Sequence, residues 1–158
     1  MPAPALLFVC LGNICRSPLA EAAFRAEAER IGLAAEADSA GTGNWHKDEP
    51  PDRRAIAAAR RNGVDISDLR ARQVRPDDFA SFDHVIALDG DNFADLQALQ
   101  PAGTRARLSL LLDHVPGREG EAVADPYYGG DTDFDITWRD VSAAARGLAE
   151  ELQREEAR

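Results

Sequence analysis

Cysteines are scarce in this chain of 158 residues: only Cys10 and Cys15 are present, five positions apart. A secreted disulfide framework uses more cysteines at wider spacings, so that class of protein is excluded. No run approaches the roughly 18 apolar residues of a membrane-spanning helix. Residues 1–9 also lack the basic flank of a signal peptide. We therefore expect a cytoplasmic protein whose two thiols are reduced.

Positive charge is also in short supply, because 18 basic residues face 28 acidic ones and the net charge is −10. A surface this acidic repels phosphate backbones and anionic lipid headgroups. Nucleic acids and membranes are therefore excluded as general partners. Any anion that the protein binds needs a local concentration of positive charge.

The chain has no internal repeat, no low-complexity segment and no linker rich in proline, glycine or serine. With 44% hydrophobic residues, residues 1–158 are expected to form a single domain around one core. Short apolar segments that predict buried strands alternate with segments of helical periodicity. The predicted strands are residues 5–9, 35–39, 84–88 and 108–112, and the predicted helices are residues 18–31, 52–62, 91–100 and 138–152. This alternation predicts an α/β fold with a parallel sheet flanked by helices.

One turn, from Cys10 to Ser17, lies between the first predicted strand and a helix that Ser17 is expected to cap. Backbone N–H groups point into such a turn and the helix dipole adds partial positive charge, so the turn can cradle an anion. The Gly-Lys-Ser/Thr ending of a Walker loop is absent. Instead, Arg16 follows Cys10 by six positions, which lets the loop wrap one phosphate and the guanidinium bind two of its oxygens. We call residues 10–17 the phosphate loop.

The residue types of the phosphate loop suit this use. Gly12 and Asn13 tolerate the positive φ that a tight curl requires. The positive field favours a thiolate at Cys10, which becomes a candidate nucleophile, and the Ser17 hydroxyl can hydrogen-bond its sulfur. The alternative is that Cys10 is only a buried apolar residue and Arg16 a solvated one. The candidate phosphate-binding residues are Leu11, Gly12, Asn13, Ile14, Cys15, Arg16 and Ser17.

Residues 9–18, VCLGNICRSP, resemble the signature loop of the low-molecular-weight protein tyrosine phosphatases residue for residue. Two further segments agree with that family in order and spacing, DSAGT at residues 38–42 and DPYYG at residues 125–129. The resemblance implies a four-stranded parallel sheet of flavodoxin-like order, with the phosphate loop after the first strand. It also implies hydrolysis of phosphotyrosine proteins or small aryl phosphates through a phosphocysteine on Cys10, without metal or cofactor.

Roles outside the phosphate loop come from the same resemblance. It implies that Asp125 is the general acid that protonates the leaving oxygen and the base that then activates water. Pro126 restricts the backbone of Asp125 to an extended form. Tyr127 and Tyr128 resemble the aromatic pair that lines the family's pocket, and Trp45 falls in the loop of the opposite wall.

Asn13, Ser17 and Ser39 resemble a hydrogen-bond network that braces the phosphate loop. One member is missing, because the family often has a histidine where this chain has Leu69, three positions before an Arg-Gln pair. The sequence leaves open whether other groups or water replace it.

The three histidines, His46, His84 and His114, have no partner spacing that indicates a site, and we interpret His46 as a surface residue. The chain also has no cluster of histidine, cysteine or carboxylate residues at ligand spacing. A metal site is therefore not indicated.

Three other functions compete with the phosphatase reading. Arsenate reductases share the Cys-x5-Arg loop, but they need further cysteines to relay a disulfide, and none follows Cys15. A non-catalytic phosphoanion-binding module would keep the loop without turnover, although Asp125 is present. A cysteine phosphocarrier has no use for residues 125–129.

The second cysteine has two interpretations. Cys15 is either a small apolar residue that packs under the loop or a redox partner that protects Cys10 by forming a disulfide. For the assembly we expect a monomer or a weak homodimer.

Overall fold

A computed structural model describes residues 2–158, and a parallel sheet of four strands forms its centre. The strands are β1 (Ala5–Cys10), β2 (Glu36–Gly41), β3 (His84–Ala87) and β4 (Arg107–Leu110), in the spatial order β2-β1-β3-β4. This is a flavodoxin-like order, so the predicted α/β fold class is confirmed. The strand order reverses at β1, and loops at the carboxyl ends of the strands meet beside that point.

Five helices flank the sheet. They are α1 (Arg16–Ile31), α2 (Arg53–Arg61), α3 (Asp78–Ser81), α4 (Gly90–Leu99) and α5 (Asp131–Glu156). Helices α1 and α5 pack against each other, α2 packs on both, and α4 packs against β3 and β4. None of the helices within residues 2–158 has both the length and the apolar character that a bilayer span requires.

Strand β1 is buried along its whole length because helices cover both faces of the sheet. Leu6 and Phe8 point into the core beneath α1 and α5, where the rings of Phe8 and Phe24 are 5.9 Å apart. Leu7 and Val9 point into a second core on the opposite face. The buried strand therefore holds the start of the phosphate loop rigidly.

The fourth strand is shorter than predicted. It ends at Leu110, and Leu111 and Leu112 begin a 3₁₀ turn (Leu111–His114). The carboxylate of Asp113 accepts the N–H of Leu110 at 3.1 Å, which favours the turn. Both leucines remain buried, so their apolar character reflected burial rather than strand conformation.

The helix ends also differ from the prediction. Helix α1 begins at Arg16 with Cys15 as its N-cap residue, so the expected cap at Ser17 is wrong. Helix α5 begins at Asp131, well before the apolar stripe that starts at Trp138, and its first turn is acidic as the helix dipole favours. The short helix α3 was not predicted.

Candidate active site

The phosphate loop leaves the carboxyl end of β1 and leads directly into α1. Asn13 has the positive φ that the curl requires, 58°, whereas Gly12 does not. The small size of Gly12 has another use, because a Cβ atom there would lie 3.2 Å from Cδ2 of His46. His46 therefore packs over the loop, while its side chain stays 32% exposed at the surface, where Nδ1 lies 2.9 Å from the carboxylate of Glu49.

The sulfur of Cys10 is buried and has two polar neighbours. The backbone N–H of Asn13 donates to Sγ at 3.3 Å, and Oγ of Ser17 lies 3.0 Å from Sγ. The Ser17 hydroxyl can either donate to the sulfur or accept from it. The Ser17 hydroxyl thus faces the site, which explains why it does not cap α1.

A side-chain network holds Asn13 in its left-handed conformation. Its Nδ2 donates to Ser17 Oγ at 2.8 Å and to Ser39 Oγ at 3.0 Å. Its Oδ1 accepts the backbone N–H of Arg72 at 3.0 Å. The structure therefore brings together the three residues that were expected to brace the loop, and it adds the backbone of Arg72.

The network continues to Glu21 on α1, which the sequence analysis missed. The buried carboxylate of Glu21 accepts the Ser39 hydroxyl at 2.8 Å and Nε of Arg25 at 2.9 Å. Burial raises the pKa of Glu21, and the hydrogen bond from Ser39 and the charge of Arg25 offset only part of that shift. The signal in the sequence that could have identified Glu21 was an acidic residue one helical turn after Ser17, within an apolar stretch.

Leu69 stands where the family often has a histidine. It is half-buried against the core and lines the same surface pocket as Glu21. The cation beside Glu21 is instead Arg25, whose guanidinium also donates to the backbone carbonyl of Ala37 in β2. The brace in this chain therefore ends on a carboxylate and an arginine of α1.

Arg16 is buried and oriented by groups from two other loops. Its Nη1 donates to Oδ2 of Asp89 at 2.7 Å and to the carbonyl of Val123 at 2.9 Å. Burial lowers the pKa of Arg16, but the nearby Cys10 and the carboxylates of Asp89 and Asp125 outweigh it, so the net shift is upward. The sequence analysis missed Asp89, although it follows β3 at the same edge of the sheet as Cys10.

The DSAGT segment forms the end of β2 and the chain beyond it. Oγ of Ser39 joins the brace, and Gly41 lies so close to the loop that an added Cβ would be 2.7 Å from the carbonyl oxygen of Leu11. The backbone N–H of Thr42 donates to the carbonyl of Cys10 at 2.9 Å. This segment therefore supports the phosphate loop from behind.

Asp125 lines the same cavity as residues of the phosphate loop, and its side chain is 43% exposed. Its Oδ2 is 3.7 Å from Nη2 of Arg16. Its Oδ1 accepts the backbone N–H of Tyr127 at 3.1 Å. One carboxyl oxygen is thus held by the local turn, and the other faces the guanidinium.

Aromatic side chains form the walls of a cavity of about 240 Å³ above the phosphate loop. Trp45 and His46 line it together with Tyr127 and Tyr128, and so do Cys10, Arg16 and Asp125. The two tyrosine rings meet edge to face with centroids 5.0 Å apart. Trp45 is 69% exposed and Tyr128 is 94% exposed, so both are free to contact a ligand.

Cys15 is buried within the loop and also lines the cavity. Burial, with a smaller contribution from Asp52, raises the pKa of Cys15 well above its usual range. It is therefore a neutral thiol at neutral pH. Neither cysteine is in a disulfide.

The other two histidines lie away from this cavity. His114 is paired through Nδ1 with Glu151 at 2.6 Å, and burial lowers the pKa of His84. Within residues 2–158, no three His, Cys, Asp or Glu side chains lie together as metal ligands do.

The residues that line the cavity can carry out a nucleophilic displacement at the central atom of an oxyanion. A cysteine sulfur, a guanidinium and a partly exposed carboxyl group converge on one space, and aromatic rings surround its mouth. Such a site can bind a tetrahedral anion, attack it with sulfur and transfer a proton.

Known proteins are similar to this chain in sequence and in fold. The family described as low molecular weight phosphotyrosine protein phosphatase matches residues 5–158. A protein of that name from Schizosaccharomyces pombe is 43% identical over 132 residues, covering 82% of this chain and 84% of its own. The low molecular weight protein-tyrosine-phosphatase YfkJ of Bacillus subtilis is 39% identical, covering 96% of this chain and 97% of its own.

Solved structures agree with these similarities. A protein tyrosine phosphatase from Entamoeba histolytica, crystallised with Hepes in its active site, superposes with a TM-score of 0.91 at 32% identity. The alignment covers 98% of this chain and 99% of that one.

Proposed function

The chain belongs to the low molecular weight phosphotyrosine protein phosphatase family and is a protein-tyrosine phosphatase, and from this premise we propose how its site works. Phosphotyrosine and small aryl phosphates are hydrolysed through a phosphocysteine on Cys10. Arg16 and the loop amides bind the phosphoryl group. Asp125 acts first as general acid and then as general base, and no metal or cofactor takes part.

Substrate binding uses the phosphate loop. The N–H groups of residues 11–17 surround the phosphoryl oxygens, and Arg16 binds two of them with its planar fork. The contacts of Arg16 with Asp89 and Val123 support this role. They orient the guanidinium before substrate arrives, so less side-chain entropy is lost on binding.

In the first chemical step, the thiolate of Cys10 attacks phosphorus. The S–P bond forms while the bond from phosphorus to the aryl oxygen breaks, and Asp125 gives its proton to that oxygen. The phenol therefore leaves as a neutral molecule. Support comes from the position of the Asp125 carboxyl, which lines the same cavity as Cys10 and lies 3.7 Å from Nη2 of Arg16.

In the second step, water attacks the phosphorus of phosphocysteine and passes a proton to Asp125. The S–P bond breaks, inorganic phosphate leaves and the thiolate returns. The hydroxyl of Ser17, 3.0 Å from the sulfur, stabilises that leaving thiolate.

The aryl ring of the substrate lies between Trp45 and the two tyrosines in this proposal. Aromatic walls favour a ring by stacking and by burial of apolar area. The mouth of the cavity is open, which suits a side chain carried on a protein.

The convergence of Cys10, Arg16 and Asp125 on one cavity carries the proposal. The test measures release of p-nitrophenol from its phosphate ester. Cys10→Ser should abolish turnover while phosphate or vanadate still binds, and Arg16→Lys should lose most activity because an ammonium cannot reproduce the fork. Full activity in either variant, or loss of wild-type activity with EDTA, contradicts the mechanism.

The same preparation decides between the competing functions. Thiol-dependent reduction of arsenate without phosphatase activity would identify an arsenate reductase, and phosphate binding without turnover would identify a binding module. We also propose that residues 1–158 act as a single domain in the cytoplasm, as a monomer or a weak homodimer. Light scattering over a concentration series tests the assembly.

A further inference from the structure

Arg54, the second residue of α2, directs its guanidinium at the backbone that follows Asp125. Its Nη2 donates to the carbonyl of Tyr127 and its Nη1 donates to the carbonyl of Gly129, both at 2.9 Å. The two acceptors lie in the loop that precedes α5, 73 and 75 positions away in sequence. One side chain thus connects the start of α2 to the segment that carries Asp125.

The start of α2 is also attached to the phosphate loop. The backbone N–H of Asp52 donates to the carbonyl of Ile14 at 2.8 Å. The carboxylate of Asp52 accepts Nε and Nη2 of Arg54 at 3.0 and 2.9 Å, and it also caps α2. A continuous path of hydrogen bonds therefore runs from the phosphate loop to Arg54.

From Arg54, the path of hydrogen bonds continues to the carboxyl group of Asp125. Arg54 holds the carbonyl of Tyr127, and the N–H of the same residue donates to Oδ1 of Asp125 at 3.1 Å. Throughout the described chain, no other residue outside the segment donates a hydrogen bond to residues 124–129. The ion pair with Arg16 spans 3.7 Å, so it restrains the carboxyl group only loosely.

The guanidinium of Arg54 is itself fixed by packing. It stacks 4.7 Å from the ring centroid of Phe134 and 5.6 Å from that of Tyr127. A planar group that stacks and binds two carbonyls cannot be replaced by an ammonium. The side chain of the adjacent Arg53 is exposed and makes no hydrogen bond or ion pair with any residue from 2 to 158.

We propose that Arg54 is a positioning residue that sets the distance between the acid Asp125 and the phosphate loop. The inference rests on the proposed role of Asp125 as general acid. Its physical basis is that proton transfer needs the carboxyl within hydrogen-bond reach of the leaving oxygen, and a displacement of about 1 Å can cost roughly 10²-fold in rate.

The test compares two substrates that differ in their need for an acid. Phenyl phosphate has a poor leaving group, whereas p-nitrophenyl phosphate has a leaving group that departs more easily without a proton. We expect Arg54→Met to lower kcat/KM for phenyl phosphate about 10- to 100-fold and to lower that for p-nitrophenyl phosphate much less. The ratio of the two values is independent of the fraction of folded enzyme, so partial unfolding cannot mimic the effect.

Two matched variants complete the comparison. Arg53→Met removes a neighbouring positive charge from the same helix and should keep the wild-type ratio. Arg54→Lys keeps the charge but not the two carbonyl contacts, and should resemble Arg54→Met. Inhibition by inorganic phosphate should stay close to wild type in all three, because Arg54 does not touch the phosphate site.

A double substitution separates this inference from the mechanism on which it rests. In an Asp125→Asn background, Arg54→Met should leave the rate on phenyl phosphate unchanged, since the residue acts through Asp125. If Asp125→Asn slows phenyl phosphate but Arg54→Met keeps the wild-type ratio, the positioning role is wrong and the acid assignment stands. If Asp125→Asn itself has no effect, the proposed acid is wrong and the inference falls with it.

Discussion

Substitution of Asn13 by alanine tests how the brace shapes the phosphate loop. The Asn13 side chain makes three hydrogen bonds, to Ser17, to Ser39 and to the backbone N–H of Arg72. After truncation the two hydroxyl groups retain other partners. The N–H of Arg72 loses its acceptor in a half-buried position, and alanine must adopt a left-handed backbone.

The structure sets the size of the effect. A buried donor without a partner costs about 1–3 kcal/mol. A residue with a Cβ atom pays about 1–2 kcal/mol in the left-handed region, which Asn13 occupies at φ 58°; asparagine offsets this cost with hydrogen bonds of its polar side chain, and alanine does not. The total of about 2–5 kcal/mol corresponds to a fall in Tm of roughly 4–20 °C for a domain of this size.

Thermal unfolding followed by circular dichroism measures this loss, and Asn13→Gly is its matched partner. Glycine removes the same hydrogen bonds but adopts positive φ freely, so it should be more stable than the alanine variant by about 1 kcal/mol. Both variants should bind inorganic phosphate more weakly than wild type, because the loop amides are no longer held in place. A Tm and a phosphate affinity that match wild type in both variants would show that the network does not shape the loop.

Three further predictions concern stability and redox chemistry. Leu69→His should lower Tm by roughly 2–12 °C, since Glu21 already has partners and a half-buried imidazole without one costs about 1–3 kcal/mol; an unchanged or higher Tm contradicts this. Because the pKa of Glu21 is raised, this carboxyl group keeps its proton to a higher pH in the folded state than in the unfolded chain. The stability that the group contributes is therefore complete below its ordinary pKa of 4.5 and is lost as the pH rises. The Tm of wild type relative to Glu21→Gln should therefore fall as the pH rises above that ordinary value, and parallel curves would refute the assignment. After treatment with peroxide, wild type should recover nearly all of its activity with dithiothreitol, because the Cys15 thiol condenses with a sulfenic acid on Cys10 to form a disulfide and release water. The Cys15→Ser variant should recover much less activity. Equal recovery in the two proteins, with no intramolecular disulfide detected by mass, would exclude this role.

The sequence predicted best those features that depend on residues close together in the chain. Cys10 and Arg16 lie within one strand, loop and helix, and the positive φ of Asn13 follows from the same short segment. The apolar run before Cys10 indicated a buried strand because both faces of the sheet are covered. For Asp125, residue chemistry alone was insufficient, since an Asp-Pro pair is typical of an ordinary turn, and the similarity of residues 125–129 to the family supplied the assignment.

By itself, then, the sequence determined the strand, the loop that follows it and the candidate nucleophile, because those features depend on neighbouring residues and on backbone geometry. Only the tertiary structure decided which distant side chains complete the site. Asp89 lies 73 positions from Arg16, and Tyr127 lies 73 positions from Arg54, so their contacts depend on strand order and helix packing. In the sequence, Glu21 is one of 28 acidic residues, and it is distinguished only by its burial and by the hydrogen bond that it accepts from Ser39. Proximity between residues far apart in sequence is a property of the packed sheet and helices, and no local pattern encodes it.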